Sequence, residues 1–303
     1  MNKKNCFLTL LIVFGLVWPN FSLRADESWT TNQNFVGDKS ITGSLTVGGS
    51  QDINFGLSGQ KVIATGDVLF NASTNKIWFY LRESEFISGN SFIIKGAINS
   101  NNMNDPYTMF SIFGESKIEG AVIKFQNGGE VQIGTGEEHL AQINSLTVKI
   151  NNSSSNISPT LEIESNLADP EDTRGSSLYM RPNTELRLQS AYYTPHLNVN
   201  GTLMLLNTLP HDRFDSSSLS DPGNHGTSKI TGGYVTIGSQ GTLDVGLNKL
   251  NVEAIHFESG STLRVVRSSS DSGMVEASQA ISVESGALLD ISEDSDISVN
   301  SSN

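Results

Sequence analysis

The residues of this chain that could carry out chemistry are mainly carboxylates. Hydrolysis of a glycoside needs two carboxyl groups held several ångströms apart across a sugar. Three acidic clusters contain enough carboxylates for such a pair: Asp169, Glu171 and Asp172; Asp212 and Asp215; and Glu293, Asp294 and Asp296. The first and third clusters lie in loop-like and tail-like sequence, where solvated charge is the ordinary explanation. We therefore predict no catalysis from those two clusters.

The middle acidic cluster lies in an interruption of an otherwise regular β-pattern. The interruption covers residues 209–226 and contains two prolines and two histidines, His211 and His225, beside Asp212 and Asp215. A long excursion from a repeating fold is a usual place for a binding site. The composition favours a flexible surface loop with incidental histidines. The alternative is a polysaccharide-active enzyme in which the two aspartates supply the carboxyl groups.

The remaining histidines do not have the spacing of a metal site. His139, His196 and His256 lie far apart in the sequence, whereas metal ligands on one element recur within a few positions. The sequence also lacks a phosphate-binding loop, a nucleophile elbow and a calcium-binding nonapeptide repeat. We therefore predict a protein that is not an enzyme and has no catalytic, cofactor-binding or metal-binding residues.

The composition favours short strands and disfavours one class of partner. Hydrophobic residues make up 37% of the 303 residues, while Gly, Ser, Asn and Thr are abundant. Because Gly and Asn tolerate the positive φ of tight turns, this mixture suits short strands joined by polar turns. The net charge of −13 would repel phosphate groups, so we predict no nucleic-acid partner.

The N-terminus has the order of features of a secretory signal. Lys3 and Lys4 precede an apolar run at residues 7–18, and Ala25 stands where a signal peptidase would cut. The run is too short to cross a hydrocarbon core of about 30 Å, and no second hydrophobic segment follows it. The only cysteine, Cys6, lies inside this signal, so the mature chain has no disulfide. These features predict an exported bacterial protein without a membrane span in its mature part.

From about residue 40 the chain repeats short runs of alternating β-formers. Alternation with a period of two places aliphatic side chains on one face of a strand and polar side chains on the other. Examples are the runs at residues 41–47, 121–125, 146–150 and 234–237. The densest run, IWFYL at residues 77–81, favours a buried strand or a capping cluster over an exposed contact patch.

One phrase recurs at a regular interval. Gly-Thr-Leu ends at Leu203 and returns at Leu243, and it returns as Ser-Thr-Leu at Leu263, after half the first interval. A looser copy, GALLDI, covers residues 286–291. Internal repeats with a period of about 20 residues or more are typical of solenoids, in which each coil stacks on its neighbour. The sequence therefore predicts an all-β solenoid.

The segment at residues 232–266 resembles the passenger region of bacterial autotransporters. Such passengers repeat a glycine turn, a Thr/Ser-Leu-x-Val strand and a Phe before Gly-Ser-x-Leu. The matching positions here are Phe257, Gly260, Ser261, Leu263 and Val265. The resemblance covers the C-terminal third of the chain, and the remainder is similar only in its general pattern of short strands and polar turns. It implies a right-handed parallel β-helix that is displayed on, or released from, the surface of a Gram-negative cell.

One departure from this family concerns the C-terminus. An autotransporter ends in a translocating β-barrel of long amphipathic strands, whereas this chain ends with VNSSN at residues 299–303. The departure predicts either a truncated remnant of a longer protein or export by another route. We divide the chain into a signal peptide at 1–25, an N-terminal cap or linker at 26–40, a β-solenoid at 41–292 and a disordered tail at 293–303.

The predicted function is adhesion or another surface interaction without catalysis. The expected partner is a ligand on a host or neighbouring cell, either a protein or a glycan. The expected location is the surface or the surroundings of a Gram-negative cell, with the periplasm as a further possibility. The alternatives are the polysaccharide-active enzyme and the remnant of a longer autotransporter.

Overall fold

The chain forms a stack of parallel β-strands. A computed structural model describes residues 26–72, 74–96, 108–134, 144–152, 158–165, 175–205, 226–265, 273–292 and 295–299. Every pairing between strands of these residues is parallel. None of them is helical, so the described ranges hold no helix that could cross a membrane.

The strands of the described residues, numbered β1 to β26 in chain order, form three ladders along the stack. The first ladder contains β2 (Lys39–Ile41), β5 (Lys61–Ala64), β8 (Glu85–Ser88), β11 (Glu115–Gly120), β14 (Asn144–Ile150), β17 (Thr184–Gln189) and β26 (Asp296–Val299). The second ladder contains β1 (Glu27–Trp29), β3 (Leu45–Val47), β6 (Val68–Asn71), β9 (Ser91–Lys95), β12 (Val122–Gln126), β15 (Thr160–Ile163) and β18 (His196–Val199). The third ladder contains β4 (Ile53–Ser58), β7 (Ile77–Arg82), β10 (Thr108–Phe113), β13 (Gly129–Ile133), β16 (Ser177–Met180), β19 (Thr202–Leu205), β21 (Thr242–Gly246), β23 (Thr262–Val265) and β25 (Leu288–Ile291). Three long strands belong to the first two ladders at once: β20 (Thr227–Ile237), β22 (Lys249–Phe257) and β24 (Met274–Val283).

The chain visits the three ladders in turn, and each coil stacks on the coil before it. In each long strand the backbone bends between the first and second ladders, and the register shifts at the bend. Because the hydrogen bonds of parallel strands link one coil to the next, the coils form one continuous structure. The predicted all-β fold, a parallel β-helix, is confirmed.

Inward-facing aliphatic and aromatic side chains form the core between the ladders. In β7 the side chains alternate strictly, so that Ile77, Phe79 and Leu81 are fully buried. Phe79 packs between Phe55 and Phe110 of the adjacent coils. Burial of such side chains stabilises the fold by roughly 25 cal/mol per Å² of apolar surface. The period-two pattern of the sequence thus decides which residues enter the core.

The repeated phrase marks successive coils of the third ladder. Leu203 lies in register with Leu243, Leu243 with Leu263, and Leu263 with Leu289. The first of these intervals is twice as long as the second, yet it also spans a single coil. It contains residues 206–225, which lie outside the described residues. The predicted repeat is therefore confirmed, and the length of a coil varies, since the interval from Ile53 to Ile77 also spans one coil and is longer than that from Leu243 to Leu263.

The N-terminal end of the core is aromatic. Trp29 of β1 is buried, and its ring centroid lies 5.0 Å from that of Phe35 and 5.8 Å from that of Phe55. Phe35 is partly buried against the core. This cluster lies in and beside residues 26–40, the segment predicted to be a cap or linker. The signal predicted at residues 1–25 lies outside the described residues.

The last described coil is open to solvent at its far side. Leu289 stacks on Leu263 and Ile291 on Val265, but Leu289 is 39% exposed whereas Leu263 is fully buried. The structure also differs from the sequence prediction here, since Asp296–Val299 lies in the predicted disordered tail but forms β26, which pairs with β24. The short alternation of apolar and polar residues in β26 explains the pairing.

Candidate ligand-binding groove

Most candidate residues from the sequence lie outside the described part of the chain. These are His139, Asp169, Glu171, Asp172, His211, Asp212, Asp215, His225, Glu293 and Asp294. Asp296 of the third acidic cluster is described, and it begins β26. The polysaccharide-active alternative, which depends on Asp212 and Asp215, stays a prediction. Within the described ranges, no three His, Cys, Asp or Glu side chains come together in a group that could hold a metal ion.

A groove lies beside a lengthened corner between the first and second ladders. At this corner residues 190–195 join β17 to β18, whereas Gly89 and Asn90 alone join β8 to β9 and Ala121 alone joins β11 to β12. The loop at residues 190–195 borders a groove of about 740 Å³. We call it the tyrosine groove, and among the described residues its lining consists of Lys149, Leu188, Gln189, Ser190, Ala191, Tyr192, Tyr193, Thr194, Pro195 and Gly232.

Two glycines of the next coil allow that coil to approach the loop closely. Gly232 has a φ of 82°, and a Cβ atom there would lie 2.2 Å from the carbonyl oxygen of Leu188. A Cβ atom on Gly233 would lie 2.4 Å from the carbonyl oxygen of Pro195. The backbone N–H of Tyr234 donates a hydrogen bond to that same carbonyl at 3.1 Å. The loop is therefore held at its base by the coil above it.

The tip of the loop carries two tyrosines that project into solvent. Tyr192 is 57% exposed and Tyr193 is 48% exposed. Among the described residues, neither ring stacks on another aromatic ring and neither phenol group donates a hydrogen bond. The backbone N–H of Tyr192 donates a hydrogen bond to the hydroxyl of Ser190 at 3.3 Å. About half of the surface of each tyrosine is therefore accessible to a ligand.

A second pair of rings lies just beyond the loop. His196, the first residue of β18, is in register with Tyr234 of β20, and their ring centroids are 5.6 Å apart. Burial lowers the pKa of His196 below its ordinary value, so the imidazole is neutral at pH 7. The surface around the groove thus presents aromatic rings without adding positive charge.

The cation among the described lining residues, Lys149, is paired with a neighbouring carboxylate. Its Nζ atom lies 3.1 Å from a carboxylate oxygen of Glu119, which also accepts a hydrogen bond from Asn151. Burial raises the pKa of Glu119, but hydrogen bonds from Lys117 and Lys149 outweigh that effect and lower it below its ordinary value. The carboxylate is therefore ionised and is shared between Lys117 and Lys149. The other polar side chains of the described lining residues carry an amide or hydroxyls.

Comparison with protein-family models, with curated proteins and with solved structures finds no match for this chain. Its function is therefore inferred from the geometry of the chain itself.

A serine, a histidine and a glutamate form another hydrogen-bonded group, on the outer face near the open end. The Nδ1 atom of His256 lies 2.7 Å from the hydroxyl of Ser282, and its Nε2 atom lies 3.3 Å from a carboxylate oxygen of Glu284. The register of β22 and β24 places Ser282 beside His256. The spacing of these residues in the sequence did not indicate this group, because only the stacking of coils brings the serine to the histidine.

The glutamate of this group has a structural role that recurs in the coil below. Glu284 accepts a hydrogen bond from the backbone N–H of Ser259 at 3.0 Å, and Glu258 accepts one from the N–H of Ser239 at 3.1 Å. Both carboxylates cap a turn of the preceding coil. Because capping explains the position of Glu284, we assign this group to the stabilisation of the turns and not to nucleophilic catalysis.

The aromatic run around β7 combines a buried face with an exposed one. Trp78 and Tyr80 alternate with the core residues and are 37% and 39% exposed. Tyr80 packs over Gly56, where a Cβ atom would lie 2.4 Å from its ring, and it meets Phe113 edge-on at 6.3 Å. The guanidinium of Arg82 lies 5.2 Å from the centroid of Phe113. The Tyr80 ring is thus supported by its neighbours, which distinguishes it from the tyrosines of the groove.

Proposed function

We propose that this chain is an exported β-helix protein that acts in adhesion at a cell surface and binds its ligand in the tyrosine groove. The observation that carries the proposal is the exposure of Tyr192 and Tyr193 on the loop that borders this groove. Export itself is inferred from the N-terminal sequence features, Lys3, Lys4 and the apolar run at residues 7–18.

Exposed aromatic rings support binding because their apolar surface is unfavourable in water without a partner. Tyrosine supplies a large amphipathic contact area at a low cost in conformational entropy, and it is enriched among the residues that dominate binding energy. Loops that project from a rigid scaffold are also the usual location of binding residues. The corner at residues 190–195 is longer than the corner between β11 and β12, which Ala121 alone turns, and it carries both exposed tyrosines.

The groove also has the composition of a ligand site. A volume of about 740 Å³ lies within the range of roughly 300–1,000 Å³ that is typical of such sites. Its walls combine aromatic and aliphatic carbon with a small number of polar groups, among them Gln189, Ser190 and Thr194. Ligand sites generally combine an apolar lining with a few orienting polar groups.

The proposal is tested by the binding of the full chain to cells. The chain would be exported and processed in a Gram-negative host, labelled, and incubated with panels of bacterial and epithelial cells, with bound protein measured by flow cytometry. We expect the Tyr192→Ser, Tyr193→Ser double variant to bind at least tenfold more weakly, with an unchanged melting temperature. The matched control is Tyr80→Ser, which removes a partly exposed tyrosine elsewhere and should leave binding unchanged.

Two results would contradict the proposal. Wild-type protein that binds no cell in the panel would argue against adhesion, and equal binding by the groove variant would argue against the groove. A chain that depolymerises a polysaccharide, and loses that activity in Asp212→Asn, Asp215→Asn, would be the enzyme of the alternative prediction instead.

A further inference from the structure

We infer that the ligand of the tyrosine groove is a neutral oligosaccharide whose sugar rings stack on Tyr192 and Tyr193. The inference rests on the proposed function and names the chemical class of its ligand. Three observations support this inference: the two exposed tyrosine rings, the polar side chains of the lining and the charge around the groove.

The two tyrosines suit a ligand that has both an apolar face and polar edges. A phenol ring has apolar faces and a hydroxyl at one end, so it can pack against carbon and donate a hydrogen bond at once. A pyranose ring presents a patch of C–H bonds on one face and hydroxyls around its rim. Tyr192 and Tyr193 are about half exposed and lie at a groove that is open to solvent. An apolar peptide anchor would require a closed pocket that removes it from water, whereas a sugar keeps part of its surface hydrated.

The polar groups of the lining match the dual character of sugar hydroxyls. The Gln189 amide offers both a donor and an acceptor, and the hydroxyls of Ser190 and Thr194 can do either. Each sugar hydroxyl likewise donates one hydrogen bond and accepts others. Gln189 ends β17 and lies in register with Lys149 of β14, so its backbone belongs to the rigid sheet. The backbone at this part of the groove is therefore fixed before a ligand binds, which lowers the entropy cost of binding.

The charge of the groove favours a neutral sugar over an acidic one. Lys149 is paired with Glu119, and the imidazole of His196 is neutral because burial lowers its pKa. The whole chain has a net charge of −13. A sialylated or sulfated ligand would therefore find the lysine of the described lining, Lys149, already paired with Glu119, and it would approach a negatively charged protein.

The groove holds the ligand between coils and not along one strand. Lys149 comes from the coil below the loop and Gly232 from the coil above it. The register of the first ladder sets the distance between these walls, because neighbouring strands of a sheet lie about 4.8 Å apart. An oligosaccharide a few rings long can therefore contact three coils at once.

The test is a direct binding measurement with the full, exported chain. The probes are neutral oligosaccharides built from glucose, galactose, mannose or N-acetylglucosamine, with sialylated and sulfated oligosaccharides as a matched acidic set. We expect at least one neutral probe to bind by calorimetry and to shift the NMR signals of tyrosine ring protons. Tyr192→Ala and Tyr193→Ala should each weaken that binding at least tenfold, Tyr192→Phe should weaken it by less than threefold, and Tyr80→Ala should leave it unchanged.

Three results would overturn the inference: no neutral probe binds, only acidic probes bind, or binding is insensitive to both groove tyrosines. A parallel assay separates this failure from failure of the proposed function. If binding to cells depends on Tyr192 and Tyr193 but is lost after protease treatment and survives removal of glycans, the groove binds a protein and only the carbohydrate inference fails. If cell binding does not depend on these tyrosines at all, both proposals fail.

Discussion

Glu119 shows how single charged residues contribute to the outer face of the helix. It lies between Lys117, at 3.0 Å, and Lys149, at 3.1 Å, and its side chain is only 11% exposed. Because its folded-state pKa is below the ordinary value of 4.5, the stabilisation from its ionised form is complete above about pH 4.5. That stabilisation is lost as the pH falls through the lower folded-state pKa.

We expect Glu119→Gln to lower the free energy of unfolding at pH 7 by about 1.5–3 kcal/mol, since it weakens hydrogen bonds to charged groups. The difference from wild type should shrink below pH 4.5, where the wild-type carboxylate is progressively protonated. Urea unfolding at several pH values measures this difference in the free energy of unfolding. The control is Glu253→Gln, whose carboxylate accepts a hydrogen bond from the backbone N–H of Gly232. A constant difference from pH 7 to pH 3 would contradict this explanation.

Two leucines in register test how burial at one position of the coil changes along the stack. Leu263 is fully buried, whereas Leu289, directly above it, is 39% exposed. We expect Leu263→Ala to lower the free energy of unfolding by about 2–5 kcal/mol, because it leaves a cavity in a packed core. Leu289→Ala should lower the free energy of unfolding by only about 1 kcal/mol, because water already reaches the side chain. If the two variants lose the same free energy of unfolding, measured with heat or urea, the last coil is covered in solution.

At the scale of the element, the corner at residues 190–195 depends on a glycine of the next strand. Gly232 combines a φ of 82° with a position where a Cβ atom would lie 2.2 Å from a carbonyl oxygen. Gly59 has a similar φ of 70°, but a Cβ atom there would meet nothing within 4 Å. The two glycines therefore separate the cost of the backbone conformation from the cost of the close approach.

We expect Gly59→Ala to lower the free energy of unfolding by about 1–2 kcal/mol. This is the ordinary penalty when a residue with a Cβ atom adopts a left-handed backbone conformation. Gly232→Ala should lower the free energy of unfolding by at least about 3 kcal/mol, because the added atom also forces the coils apart. It should further displace the loop and weaken ligand binding in the tyrosine groove, which Gly59→Ala should not do. Urea unfolding and the binding assay measure the two effects, and similar values for both variants would contradict this account.

At the scale of the whole molecule, stability should decrease towards the open end. Coils of a solenoid are stabilised mainly by their nearest neighbours, so a coil with a neighbour on one side only is less protected. β25 is exposed along its length, whereas β23, one coil below, has buried core positions at Leu263 and Val265. The N-terminal end differs, because Trp29 and Phe35 lie over the core there.

Hydrogen exchange of the full chain tests this gradient. We expect the backbone amides of β25 and β26 to exchange at least tenfold faster than those of β21 and β22, because local opening of the last coil breaks fewer contacts. The amides of β3 and β6 near the aromatic cluster serve as the control and should be well protected. Uniform protection along the stack would mean that the molecule opens as a single cooperative unit.

The fold class and the composition of the core could be predicted from the sequence alone. The alternation in runs such as residues 146–150 is sufficient because a strand has a period of two, so aliphatic side chains at every second position must share one face. The phrase ending at Leu203, Leu243 and Leu263 then indicated which strands stack. Both signals are local or strictly repeated, and both can be read without coordinates.

The tertiary structure alone decided which distant residues meet. Lys149, Tyr192 and Gly232 line one groove although they lie far apart in the sequence, and Ser282 meets His256 from the next coil. The coils also differ in length, since the interval from Leu263 to Leu289 is longer than the interval from Leu243 to Leu263. Sequence spacing therefore does not give the register on the outer face. That register comes from the packing of the core, because the backbone bonds between coils form wherever the inward side chains align.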